Sequence, residues 1–130
     1  MEADDITVFP APRSAFLRAW ISSPGHVGRA LVRDGRLAAW GVIRPCRTGY
    51  KIGPLVADDR AAAEAVLAAL LAGAGGGEIF LDVPSVNCEA VSLAQYLRLA
   101  PVFETARMYT GTMLPLCLHR VFGVTTFELG

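Results

Sequence analysis

Arg44, Arg47, Tyr50 and Lys51 gather three cations and a phenol within one short stretch of this chain. Arginine offers a planar, bidentate match for carboxylate or phosphate, and a tyrosine adds a flat apolar face with a hydroxyl. The stretch reads as the best local anion site, or alternatively as a solvated turn whose charges pair with nearby acids. Two carboxylates stand out for a different reason. Asp82 in EIFLDV and Glu104 in PVFETARM are flanked by apolar residues. Desolvation on such segments raises a carboxyl pKa towards what a general base needs. Structural pairing with Arg98 or Arg107 is the alternative for both. Tyr109, just beyond Glu104, is a candidate general acid. His26 and His119 are far apart, and Cys46, Cys88 and Cys117 fall in no CxxC or Cys/His spacing, so neither a metal site nor a disulfide frame is expected. Cys46 lies in a turn beside two arginines, which can lower a thiol pKa, but no histidine partners it in sequence.

These groups need a frame, and 130 residues supply about one domain with one core. Hydrophobic residues make up 53% of the chain, yet no apolar run approaches the roughly 20 residues needed to cross a bilayer. The start, MEADDITVFPAPR, is acidic where a secretory signal would be basic and then apolar. A soluble, cytoplasmic protein with no membrane contact is the expectation. Twelve basic residues balance twelve acidic ones, so no overall field favours nucleic acid. All the cations but Lys51 are arginine, a bias that has no functional meaning by itself.

The elements follow from local signals. Pro12 suits a first helical turn, and Phe16 with Trp20 and Leu17 with Ile21 recur at four-residue spacing. His26 to Val32 and Leu37 to Ile43 read as strands joined by Asp34-Gly35, a hairpin dipeptide. A further strand runs from about Tyr50 to Val56. ADDRAAAEAVLAALLAG then predicts a helix from about Asp59 to Ala72, ended by the glycines at 73–77. EIFLDV reads as a buried strand, Asn87 as the N-cap of a helix reaching about Leu99. PVFETARMYTG and the terminal FGVTTFELG read as two closing strands. Strand, helix, strand, helix in that order makes the strands at Tyr50 and EIFLDV parallel.

This order, with LDVPSVNCEAVSLAQYLRLAPVFE placing Asn87 after a strand and Ala90 three residues on, resembles the GNAT (N-acetyltransferase) superfamily. RPCRTGYKIGPLVAD, LDVPSVN, FETARMYTG and FGVTTFELG are similar to the C-terminal GNAT-like domain of bacterial tandem-GNAT proteins, over about Val8 to Gly130. The resemblance implies a single α/β domain over residues 1–130. Its sheet would be mixed and mostly antiparallel, with a parallel, splayed central strand pair and helices on both faces. It implies acetyl transfer from acetyl-coenzyme A to a small amine. Coenzyme would be held by Leu55, Val56 and Ala57 on the splayed strand and by Arg60, Ala61 and Asn87 beyond it. Arg44, Arg47, Tyr50 and Lys51 would hold the acceptor. Asp82 or Glu104 would serve as base and Tyr109 as acid, with a homodimer or a second GNAT domain as partner.

Two departures mark the chain. VADDRAAAE has no glycine where the family places its phosphate loop, and puts Asp58 and Asp59 near the expected phosphates. Ala94 stands where the family has its acid tyrosine, with Tyr96 about 200° round the helix. The alternative reading is therefore a non-catalytic GNAT-like module that binds a small anion or packs against an acetyltransferase domain.

Overall fold

The computed structural model describes residues 1–112 and 114–128. Two short helices open the chain, α1 (Glu2–Asp5) and α2 (Ser14–Ser22). The first is absent from the sequence expectations, although acids in a first helical turn favour it. Asp34 and Gly35 both take positive φ, 52° and 75°, as a primed turn demands. They join β1 (Val27–Arg33) to β2 (Arg36–Pro45), with Val27 opposite Ile43. β2 runs antiparallel to β3 (Tyr50–Ala57), with Arg44 opposite Lys51.

The alanine-rich stretch forms α3 (Arg60–Leu71), and the Asp59 carboxylate caps it by accepting from the Ala62 amide at 2.8 Å. β4 (Ile79–Leu81) then lies parallel to β3, as the element order requires. Asn87 caps α4 (Cys88–Tyr96). A 3₁₀ turn at Leu118–Arg120 leads into β5 (Val121–Gly123). The sheet order is β1-β2-β3-β4, and β5 also pairs with β3.

The two faces of the sheet are buried separately. Ala62, Val66 and Leu70 of α3 and Leu93 of α4 cover Ile43, Ile52 and Leu55 on one face. Leu17 of α2 and Val8 cover Trp40, Val56 and Val121 on the other. Each such aliphatic side chain contributes roughly 1.5–3 kcal/mol by leaving water, so both helical layers fix the line of β3 from above and below.

Two strand expectations are corrected. Residues 101–110 form no ladder, and all are exposed. Val102 and Phe103 are consecutive, so the segment presents no single apolar face, and a strand without an edge to join is not stable in water. Phe103 makes an edge-to-face contact with Phe127, centroids 5.5 Å apart. The terminal strand contracts to Val121–Gly123. Leu129 and Gly130 of the FELG run lie outside the described residues.

Candidate functional site

β4 pairs with β3 only from Tyr50 to Ile52, and the two parallel strands part beyond that point. A buried strand end left without a partner would carry unsatisfied amides and carbonyls. β5 supplies the partner by entering the gap antiparallel to β3, with Gly123 opposite Leu55 and Val121 opposite Val56. Leu55, Val56 and Ala57 are at most 1% exposed. The expected parting of the strands is therefore present, but the open backbone edge expected at Leu55 and Val56 is not. The chain's own C-terminal segment holds it.

Several groups fasten that segment. The Asn87 amide is buried and donates to the carbonyls of His119 at 2.8 Å and Val121 at 2.9 Å, while its oxygen accepts from the Ala90 amide at 3.2 Å. The Val124 amide donates to the Asp82 carbonyl at 2.9 Å. At Gly53 a side chain would collide with the carbonyls of Val124 and Thr125, so glycine alone permits this approach. Arg120 donates to Asp4 at 2.7 Å and to the Thr7 hydroxyl at 2.8 Å, and pairs with Asp58 at 2.8 Å. Burial opposes its charge, yet the two carboxylates raise its pKa above the usual arginine value. Arg13 forks onto both Asp5 oxygens at 2.8 Å and reaches the Thr125 hydroxyl at 3.3 Å. The Trp40 indole donates to Asp4 at 2.9 Å. Sequence reasoning missed these roles of Asp4, Asp5, Arg13 and Arg120; Asp5 and Arg13 are eight residues apart but in no regular spacing, and the other partners lie far away along the chain.

Arg60, Ala61 and Asn87 do share one place, an open cleft of about 540 Å³ at the N-terminus of α3. Arg33 and His119, which the sequence did not point to, line it as well. Its charges are already engaged. Arg33 donates to Asp59 at 2.6 Å, and this bond, reinforced by the Ala62 amide, holds the Asp59 carboxyl below its ordinary range. Arg60 bonds Glu64 at 2.8 Å and the Ser92 hydroxyl at 2.7 Å, and lies over the Tyr96 ring. Asp58 is taken by Arg120. A phosphate entering here meets paired arginines and two aspartates.

The four residues expected to bind an acceptor are not brought together. Arg44 and Lys51 share the α2 face, where Arg44 lies over the Trp20 ring and Lys51 over Phe127. The Glu128 carboxyl sits low in pKa through its bond to Thr126, with a smaller contribution from Lys51 and Arg44. Tyr50 packs on the opposite face, with its hydroxyl accepting from the Gly75 amide at 3.3 Å, and Arg47 is exposed in the turn. The period-two alternation of a strand predicts the separation of Tyr50 from Lys51. That signal was available in the sequence.

Among the three candidate catalytic residues, only Asp82 borders the gap. It pairs with Lys51 at 2.6 Å rather than with Arg98 or Arg107, and its side chain is 11% exposed. Glu104 and Tyr109 sit on the exposed segment without a ladder, not on strands beside the gap, which corrects their expected positions. Among the described residues no cluster of three or more His, Cys, Asp or Glu could hold a metal ion, and no helix is long and apolar enough to cross a membrane.

What this arrangement accepts is an extended chain carrying amides and carbonyls, running beside Leu55 and Val56, since β5 is such a chain in that position. Comparison with known proteins bears on what else could lie there. A family model described as "Acetyltransferase (GNAT) domain" matches residues 1–123. Among curated proteins, holothin acyltransferase of Pseudoalteromonas sp. (strain SANK 73390) is 29% identical over 121 residues, covering 92% of this chain and 41% of that protein. Among solved structures, a Pyrococcus horikoshii protein bearing an acetyltransferase name superposes with a TM-score of 0.79 at 24% identity. That match covers 99% of this chain and 42% of the other. It is a likeness of fold. The chain thus spans well under half the length of either protein.

Proposed function

Starting from a chain that belongs to the GNAT acetyltransferase domain family, we propose that it serves the transfer of an acetyl group from acetyl-coenzyme A to a small amine. The observation that carries this reading is the gap in mid-sheet, where β3 parts from β4 and admits an extended, amide-bearing chain. Pantetheine is a chain of that kind. Leu55, Val56 and Ala57 would hold it along β3, with Arg60, Ala61 and Asn87 at the cleft beyond. When bound, the coenzyme supplies an acetyl thioester for direct attack by a neutral amine. The chain's own part is to line the donor up along β3 and to exclude water between its two helical layers. Asp82, the candidate carboxylate that borders the gap, would accept the ammonium proton, and the Arg44 and Lys51 side chains would give the same mouth a cationic character.

A second reading has its own support. β5 fills the gap, aspartates head α3, and the relatives are more than twice as long as this chain. On that reading the domain is non-catalytic and packs against another acetyltransferase domain, in the same chain or a separate one. Calorimetric titration of acetyl-coenzyme A into the purified chain separates the two. The first reading expects measurable heat by millimolar coenzyme, and acetyl transfer to a panel of small amines that falls at least tenfold in Asp82→Asn. Absence of heat and of any thermal shift sinks it in favour of the second.

A further inference from the structure

The segment that fills the gap is held differently from the rest of the sheet. β5 has three residues and two register pairs with β3, and its register shifts between them. β1, by contrast, has a β2 partner at each of its seven residues, with a single register shift between Leu31 and Val32. Before β5, residues 97–117 contain no helix or strand among those described, and after it the chain again leaves regular structure. Releasing residues 118–126 therefore unravels no other element. The outer edge of β4 carries no strand among the described residues, so a released strand has another edge within the same sheet.

The fastenings are hydrogen bonds and ion pairs together with the burial of Phe122 in the core under α3 and α4 and of Val121 on the other face, with no helix of the segment's own. Asn87, Val124, Arg120 and Arg13 each contribute one or more, and the close approaches occur at glycines, Gly53 and Gly123. Withdrawing Phe122 and Val121 from the core adds to the loss of those bonds, so the segment stands out of the gap in only a small fraction of molecules.

We propose that residues 118–126 are a built-in gate: β5 occupies the coenzyme's own backbone edge at Leu55 and Val56, and coenzyme enters only as the segment leaves. This rests on the reading above that acetyl-coenzyme A is the donor. It also assigns Asn87 a role as latch, since its amide grips the segment through two carbonyls while its oxygen caps α4. The apparent affinity of the chain is then its intrinsic affinity multiplied by the fraction of molecules with the segment out.

Two full-length variants test the gate through binding. A Cβ built at Gly123 lies 3.4 Å from the Leu55 Cβ, close to the roughly 3.5–4.5 Å of a disulfide, and 2.5 Å from the tip of the Leu81 side chain, which must turn aside. The double variant Leu55→Cys with Gly123→Cys can therefore lock the segment in the gap, and reductant frees it, so packing losses are common to both states. Val124→Pro removes the amide that bonds the Asp82 carbonyl and replaces no residue of the coenzyme edge. Acetyl-coenzyme A affinity is measured by calorimetry, with disulfide formation checked by intact mass. The gate predicts no detectable binding to the oxidised double variant, binding restored on reduction, and binding to Val124→Pro tightened about fivefold, the ratio for loss of one ordinary hydrogen bond. Equal binding by oxidised and reduced forms, or an unchanged affinity in Val124→Pro, overturns the gate while leaving the donor assignment standing. No binding by any form, including reduced protein and Val124→Pro, overturns the donor assignment and the gate with it.

Discussion

Replacing Asn87 with alanine should destabilise the domain by about 3 kcal/mol, far more than an ordinary helix cap. The cap itself, the side-chain oxygen on the Ala90 amide, contributes about 1 kcal/mol. The amide nitrogen adds two hydrogen bonds, to the His119 and Val121 carbonyls, each contributing about 1 kcal/mol net. Asn87 is 2% exposed, so water cannot readily replace it at those carbonyls. For a domain of this size, 3 kcal/mol corresponds to roughly 10 °C in melting temperature. The assay is urea unfolding followed by circular dichroism, with Asn87→Ser as the control. Serine keeps a capping oxygen but cannot span to both carbonyls, so it should lose about 2 kcal/mol. A loss of 1 kcal/mol or less in Asn87→Ala, or wild-type stability in Asn87→Ser, would mean that the bonds to the C-terminal segment contribute nothing. The account of the latch would then fail.

Two further outcomes follow from single positions. Asp59 has its pKa lowered, first by the Arg33 hydrogen bond and then by the Ala62 amide. A carboxyl depressed on folding stabilises the native state above its unfolded pKa, near 4, and that contribution disappears as pH falls through the lower folded value. Asp59→Asn keeps the N-cap and removes the charge. Its unfolding midpoint should therefore fall less steeply than wild type below about pH 4, and parallel curves would refute the linkage. Gly49 takes φ +78°, and a side chain there would overlap the Glu78 backbone. Gly49→Ala should cost about 2 kcal/mol or more through strain where β3 meets β4, measured by the same unfolding assay, with a loss under 0.5 kcal/mol counting against it.

The local elements were legible because their causes are local. Asp34-Gly35 could make little other than a hairpin turn, and the structure joins β1 to β2 there. ADDRAAAEAVLAALLAG carried its own cap and its own stop, and Asp59 and Leu71 sit at the ends that pattern implies. Asn87 capped its helix as read, and the strand–helix–strand order gave the parallel pair of β3 and β4. The scatter of Arg44, Arg47, Tyr50 and Lys51 was less legible, because closeness in sequence was taken as closeness in space across a strand that points alternate residues to opposite faces.

By itself, then, the sequence determined α2 to α4, the strands β1 to β4 and the class of sheet they make, but not α1 or the fate of the two closing strands. Turns, caps and periodicity act over a few residues. Tertiary structure alone decided which edge each strand joins. Residues 101–110 carry a strand-like composition and find no edge, while Val121–Gly123 take the one at Leu55 and Val56. That choice rests on Asn87, on the pairing of Arg120 with Asp4 across 116 positions, and on the two glycines that let backbones meet. Such partners have no signature in any short window, because an edge goes to whichever segment the whole fold can fasten there.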